Sequence, residues 1–145
     1  MNDLLRIAKR PATSTHPGAT VHEACAAMLA ARVGAVVVLD EGRLVGILSE
    51  RDVVGRVVVP GRDARRTLVS EAMTRDVFTG TAGMTPDEAM DLMHTKHFRH
   101  LPLVDAAGRV VGVLSQRHLL RKQVEELDQS SQSLANYIAA DGPGG

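Results

Sequence analysis

The chain has 145 residues, with 17 basic and 17 acidic side chains, a single cysteine and only 2% aromatic residues. That length suits one domain or two small units sharing a core, and a chain of this size buries about 68–70% of its unfolded surface without staples. The charge balance argues against a nucleic-acid binder driven by net charge, Cys25 alone excludes an intrachain disulfide and fits a reducing compartment, and no apolar run is long enough to span a bilayer.

The opening MNDLLRIAKR lacks the apolar core of a signal peptide, so the expected location is cytoplasmic, without membrane attachment; residues 1–10 form an N-terminal segment. A first unit spans 11–60. Thr20 is placed to cap a helix in which Val21, Ala24, Cys25, Met28 and Ala31 recur at helical spacing. AVVVL (35–39) is an unbroken apolar run, as expected of a strand covered on both faces. The turn DEGR leads into LVGIL (44–48), completing a hairpin, and Ser49 caps a helix through RDVVGRVVV that stops at Pro60.

Residues 61–72 read as a polar linker, PGRDARR, followed by the start of a short helical stretch, VSEAMT. The linker's Arg62, Arg65 and Arg66 read as a solvated basic face. A second unit spans 73–127. Its helix runs from Pro86 to about His97, its strands are HLPLV (100–104) and VVGVL (110–114) about the turn DAAGR, and Ser115 caps a helix to about Leu127. Residues 128–145 are a C-terminal tail expected to fray at DGPGG. Within it Leu134 and Ile138 join Val124 and Leu127 in a partial helical stripe suited to a dimer mate.

The two units are copies. Glu23, Met28 and Asp40 match Glu88, Met93 and Asp105 at an offset of 65, which becomes 66 after the one-residue-longer second turn. A single indel confined to a turn is the mark of a tandem repeat. GILSERD (46–52) then matches GVLSQRH (112–118), with Asp52 replaced by His118. Gly46 lets another backbone pass close to its strand. Ser49 and Asp52 share one face of a helix start, where a hydroxyl, free N–H groups and a carboxylate suit phosphate and ribose. The plainer reading makes Ser49 an N-cap and Asp52 a favourable first-turn acid.

The order helix, strand, hairpin strand, helix, twice over, with G-h-h-S-x-x-D at the last strand-to-helix turn, MT–x–D–V at 73–77 and HFRHLPLVD at 97–105, resembles a tandem CBS domain pair across about residues 10–125. The resemblance implies an α/β (α+β) fold of two β-α-β-β-α repeats packed sheet to sheet about a pseudo-twofold axis. It also implies a non-catalytic regulatory module that binds AMP, ADP, ATP or S-adenosylmethionine between the repeats, needs no other cofactor, forms a flat homodimer and acts on an unidentified protein partner. Carried onto this chain, the principal site joins Ser49, Arg51 and Asp52 to Val77, Phe78, Thr79, Gly80, Thr81 and Ala82, with Arg99 and His100. A weaker second site joins Ser115, Arg117 and His118 to Thr13, Thr15, His16 and Pro17. Its weakness follows from His118, because a neutral imidazole has one acceptor nitrogen where a carboxylate engages both ribose hydroxyls.

A structural oligomerisation module with an empty cleft is the alternative class. An enzyme is the least favoured reading, since neither a Walker-type loop nor a GxGxxG is present. Histidines 94, 97 and 100 lack companions for a tetrahedral metal site, so no metal is expected. Cys25 reads as a small apolar residue on its helix face rather than a nucleophile.

Overall fold

The computed structural model describes residues 3–141, excepting the side chains of residues 3, 131, 133–135 and 137–141. The first unit comprises β1 (Ser14–Thr15), α2 (Val21–Ala31), β2 (Ala35–Asp40), β3 (Arg43–Ser49) and α3 (Glu50–Val53). The second comprises β4 (Gly80–Thr81), α5 (Pro86–Lys96), β5 (His100–Val104), β6 (Val110–Ser115) and α6 (Gln116–Asp141). Each unit folds one three-stranded sheet, β1-β2-β3 and β4-β5-β6, with the first pair parallel and the second antiparallel. This is the expected pair of β-α-β-β-α repeats. Local chemistry repeats as well: Thr20 and Thr85 cap α2 and α5, and Arg32 and His97 end those helices in the left-handed conformation.

Two helices depart from expectation. The helix capped by Ser49 is regular only to Val53, and Val54–Val58 continue as a π-helical turn. That stretch carries β-branched valines around Gly55, residues that favour the regular α-helix weakly. The last helix, expected to end near Leu127, continues to Asp141, because neither glycine nor proline interrupts residues 116–141. The expected fraying falls largely on 142–145, outside the described residues, as do the side chains of Leu134 and Ile138. Val124 and Leu127 are exposed on α6.

The segments leading into the repeats were not legible as packing elements. α1 (Asp3–Ile7) precedes the first repeat, yet Leu4 and Ala8 are buried with Ala89, Met93, Leu101, Leu103, Leu114 and Leu119 of the second. α4 (Val69–Ala72), before the second repeat, buries Val69, Ala72 and Met73 in the core of the first. Backbone pairing mirrors this exchange. Thr74 and Ile47 trade hydrogen bonds of 2.8 and 2.9 Å, while Lys9 and Val113 trade bonds of 2.9 and 3.0 Å. Gly46 and Gly112 permit the crossings. A Cβ on Gly46 would lie 2.9 Å from Thr74 O, and one on Gly112 would lie 3.0 Å from Lys9 O. Each repeat is therefore completed by the segment that leads into the other.

Candidate functional site

Where Thr74 crosses β3, the start of α3 is drawn into a polar cluster. Asp52 N donates to Ser49 Oγ at 3.2 Å, and Ser49 N donates to Asp52 Oδ2 at 2.9 Å, a reciprocal cap. Asp52 Oδ1 accepts from Thr74 Oγ1 at 3.2 Å and lies 3.8 Å from Arg56 Nη1. The same Arg56 nitrogen donates to Ala72 O and Met73 O at 2.9 and 2.8 Å, tying the end of α4 to this cluster. Asp52 is thus both a capping residue and a carboxylate held between two repeats. Each of its oxygens carries a second lone pair able to accept from a hydroxyl.

His100 completes the cluster from β5. Its Nε2 lies 3.2 Å from where a Cβ on Gly34 would stand, so the first residue of β5 packs on the turn before β2. Burial, reinforced by His118 and Arg99 and opposed by Asp52, pushes its pKa down to about 4. An unfolded histidine titrates near 6.5, so the folded state binds fewer protons between those values. His100 therefore contributes stability that is complete above about pH 6.5 and is lost as pH falls toward 4. The full effect is about 3 kcal/mol. Urea denaturation of His100→Asn should show a shallower loss of stability over that interval than the parent chain; parallel pH profiles would refute it.

The other expected residues are distributed more widely. Val77 and Thr79 line a cleft of about 900 Å³ between the two hairpin turns, with Leu44, Arg43, Val104 and Arg109. That is the opposite end of β3 from Ser49, and Arg75, which follows Thr74, also lines this cleft. Phe78 stacks on Phe98 with centroids 5.3 Å apart, and Lys96 Nζ stands 5.7 Å from its ring. Gly80 is buried over Leu101 and Leu103, while Thr81 pairs with Val104 and is exposed. Ala82 is half-buried, and Arg51 and Arg99 are exposed. Thr74, not singled out in the sequence, makes the inter-repeat contact with Asp52. Its signal was present in the MT–x–D–V match, three residues before the stretch chosen.

In the reciprocal position His118 N donates to Ser115 Oγ at 3.1 Å, but the buried His118 Nδ1 has no hydrogen-bond partner. The cap is therefore one-sided. Lys9 crosses β6 at Val113. Thr13 O accepts from Val37 N, Thr15 pairs with Val38, and His16 O and Pro17 O accept from Ala19 N and Ser70 N, all within the first repeat and the helix that completes it. Arg117 is exposed. Among the described residues no cluster of three or more His, Cys, Asp or Glu is arranged to hold a metal ion. No helix there is long and apolar enough to cross a membrane. Cys25 is half-buried, and burial raises its thiol pKa.

The CBS domain family model matches residues 3–59 and 69–125. Both matches begin in the crossing helices. The CBS domain-containing protein YhcV of Bacillus subtilis is 33% identical over 120 residues, covering 83% of this chain and 84% of that one. The CBS-domain protein ATU1752 of Agrobacterium tumefaciens is 34% identical with a TM-score of 0.76, covering 83% of this chain and 96% of that one. The CBS domain protein PAE2072 of Pyrobaculum aerophilum, solved in complex with AMP, is 26% identical with a TM-score of 0.77, covering 90% and 99%. The chain spans only 24% of the length of another relative, CBSCBSPB2 of Arabidopsis thaliana, to which it is 34% identical over 129 residues (88% of this chain).

Proposed function

The chain belongs to the CBS domain family, and from that premise we propose that it is a non-catalytic regulatory module binding an adenosine-containing ligand, with AMP, ADP and ATP favoured over S-adenosylmethionine. The principal site is built on Ser49, Asp52, Thr74 and His100, with Val77 and Thr79 farther along the crossing segment. The observation that carries this reading is the Asp52 carboxylate, bonded at once to its own helix start and to Thr74 of the segment leading into the other repeat. An acid so held is suited to the hydroxyls of a ribose. The AMP complex of the similar Pyrobaculum aerophilum protein supports the ligand class.

The mechanism follows from that bridging position. A ligand touching α3 and the crossing segment shifts the relative packing of the repeats by its differential affinity for their arrangements. The module works in the cytoplasm as a homodimer and passes the signal to a protein partner; no cofactor is required for this role. Calorimetry with AMP, ADP, ATP and S-adenosylmethionine tests the site count. One principal site per chain is expected, because His118 cannot replace the carboxylate. Two equivalent sites would refute that asymmetry, and no binding of any ligand would favour a structural oligomerisation module.

A further inference from the structure

We propose that α6 pairs with α6 of a second copy as a parallel two-stranded coiled coil, and that this pairing sets like repeats side by side in the dimer. The proposal rests on the homodimer reading and adds to it the surface and the direction. Only the first part of α6 packs on its own chain. Leu119 is buried in the second core, and Leu119, Lys122, Gln123 and Glu126 line a groove against the start of α5. Beyond that point the helix runs on to Asp141, about 22 Å farther. The side chains described there, at 127–130, 132 and 136, are all exposed. This stretch carries Ser130, Ser131, Ser133 and Asn136, weak helix formers, and a helix so short is marginal alone in water. A packing partner supplies what its own chain does not.

The spacing of the apolar residues says what that partner is. Leu120, Val124 and Leu127 are 48, 55 and 67% exposed. Ser131, Leu134 and Ile138 continue their spacing of four, three, four, three and four along the helix. That is the period of a coiled-coil seam. The β-branched Val124 and Ile138 fall at a positions and Leu120, Leu127 and Leu134 at d, the choice that favours two parallel strands. The groove against α5 uses c, f and g positions, which leaves the seam open. In a parallel pair each g residue meets the e residue five places on in the other helix. Gln116 then meets Arg121, Gln123 meets Asp128 and Ser130 meets Ala135, with no like charges opposed. Ser131, at the central a position, meets its own copy. The antiparallel register that keeps every apolar residue in the seam instead sets Ser131 on Leu127 and Asp128 against Asp128. Because α6 follows β6 directly, parallel helices bring the two second repeats to the same end of the seam.

The test is cysteine cross-linking of the full chain in a Cys25→Ala background under mild oxidation. Facing a positions of a parallel pair come within reach of a disulfide. Ser131→Cys should therefore convert most of the chain to a covalent dimer, while Asp128→Cys stays uncrosslinked. Sedimentation of the parent chain gives the oligomeric state independently. Leu127→Glu should weaken the dimer by at least about tenfold, since each helix loses a buried leucine, and should lower the far-ultraviolet helical signal. Gln129→Glu, at an outer f position, is the control and should change neither. A dimer whose Ser131→Cys form does not cross-link, or that cross-links through Asp128→Cys instead, overturns the parallel coil and leaves the homodimer reading standing. So does a Leu127→Glu chain that matches the control. A monomeric parent overturns both.

Discussion

Asp52→Ala should remove most of the stabilisation that an adenine nucleotide confers. A ligand at about a hundred times its dissociation constant adds about 2.7 kcal/mol, several degrees of melting temperature for a chain of this size. Removing a charged hydrogen-bond acceptor costs about 1.5–3 kcal/mol, or one to two decades of affinity. At unchanged ligand concentration the stabilisation then falls to between about 0.4 and 1.4 kcal/mol. The substitution also removes the reciprocal cap and the Thr74 contact, so each protein must be compared with its own ligand-free melting temperature. Ser49→Ala separates the two roles, because it removes the capping hydroxyl and keeps the carboxylate. Thermal denaturation should show lower intrinsic stability in both variants and the larger loss of ligand response in Asp52→Ala. Equal responses to ligand in Asp52→Ala and the parent would refute the ribose role.

Gly46→Ala is the substitution expected to damage the architecture most for its size. The new Cβ would stand 2.6 Å from Met73 Sδ and 2.9 Å from Thr74 O. The sulfur can swing aside, but the carbonyl is fixed by its hydrogen bond from Ile47 N. Either the crossing segment lifts from β3 or the strand bends, and overpacking of this kind costs about 1–3 kcal/mol. Lifting the segment also withdraws Thr74 from Asp52, so nucleotide affinity should fall with stability. Gly55→Ala is the control, since a Cβ there meets nothing within 4 Å and its helical backbone favours alanine. Urea denaturation should place Gly46→Ala well below the parent and Gly55→Ala at or slightly above it. Matching losses in the two variants would argue against the close crossing as the cause.

Much of the site was written locally. Ser49 and Asp52 lie three residues apart, and a reciprocal cap needs only that spacing and a helix start. The His118 exchange could likewise be read from one alignment of the chain with itself. Thr74 was missed because its partner is 22 residues away and belongs to the other repeat. Nothing in the periodicity around Thr74 reveals such a contact. The family resemblance, and not their own pattern, assigns Val77 and Phe78 to the base; Phe78 stacks on Phe98, and Val77 lines the cleft between the hairpins.

The sequence by itself determined the duplication, the strands and caps of each repeat, and the loss of the carboxylate from the second copy. These are carried by hydrophobic period, turn residues and short-range hydrogen bonds, all confined to a few neighbouring positions. Only the tertiary structure decided that α1 completes the second core and α4 the first, because burial of Leu4 or Val69 depends on which surface lies nearby after collapse. That exchange places Thr74 against Asp52 and pairs Lys9 with Val113 of β6. The physical reason is that side-chain period selects a buried face, while only packing selects the partner that covers it.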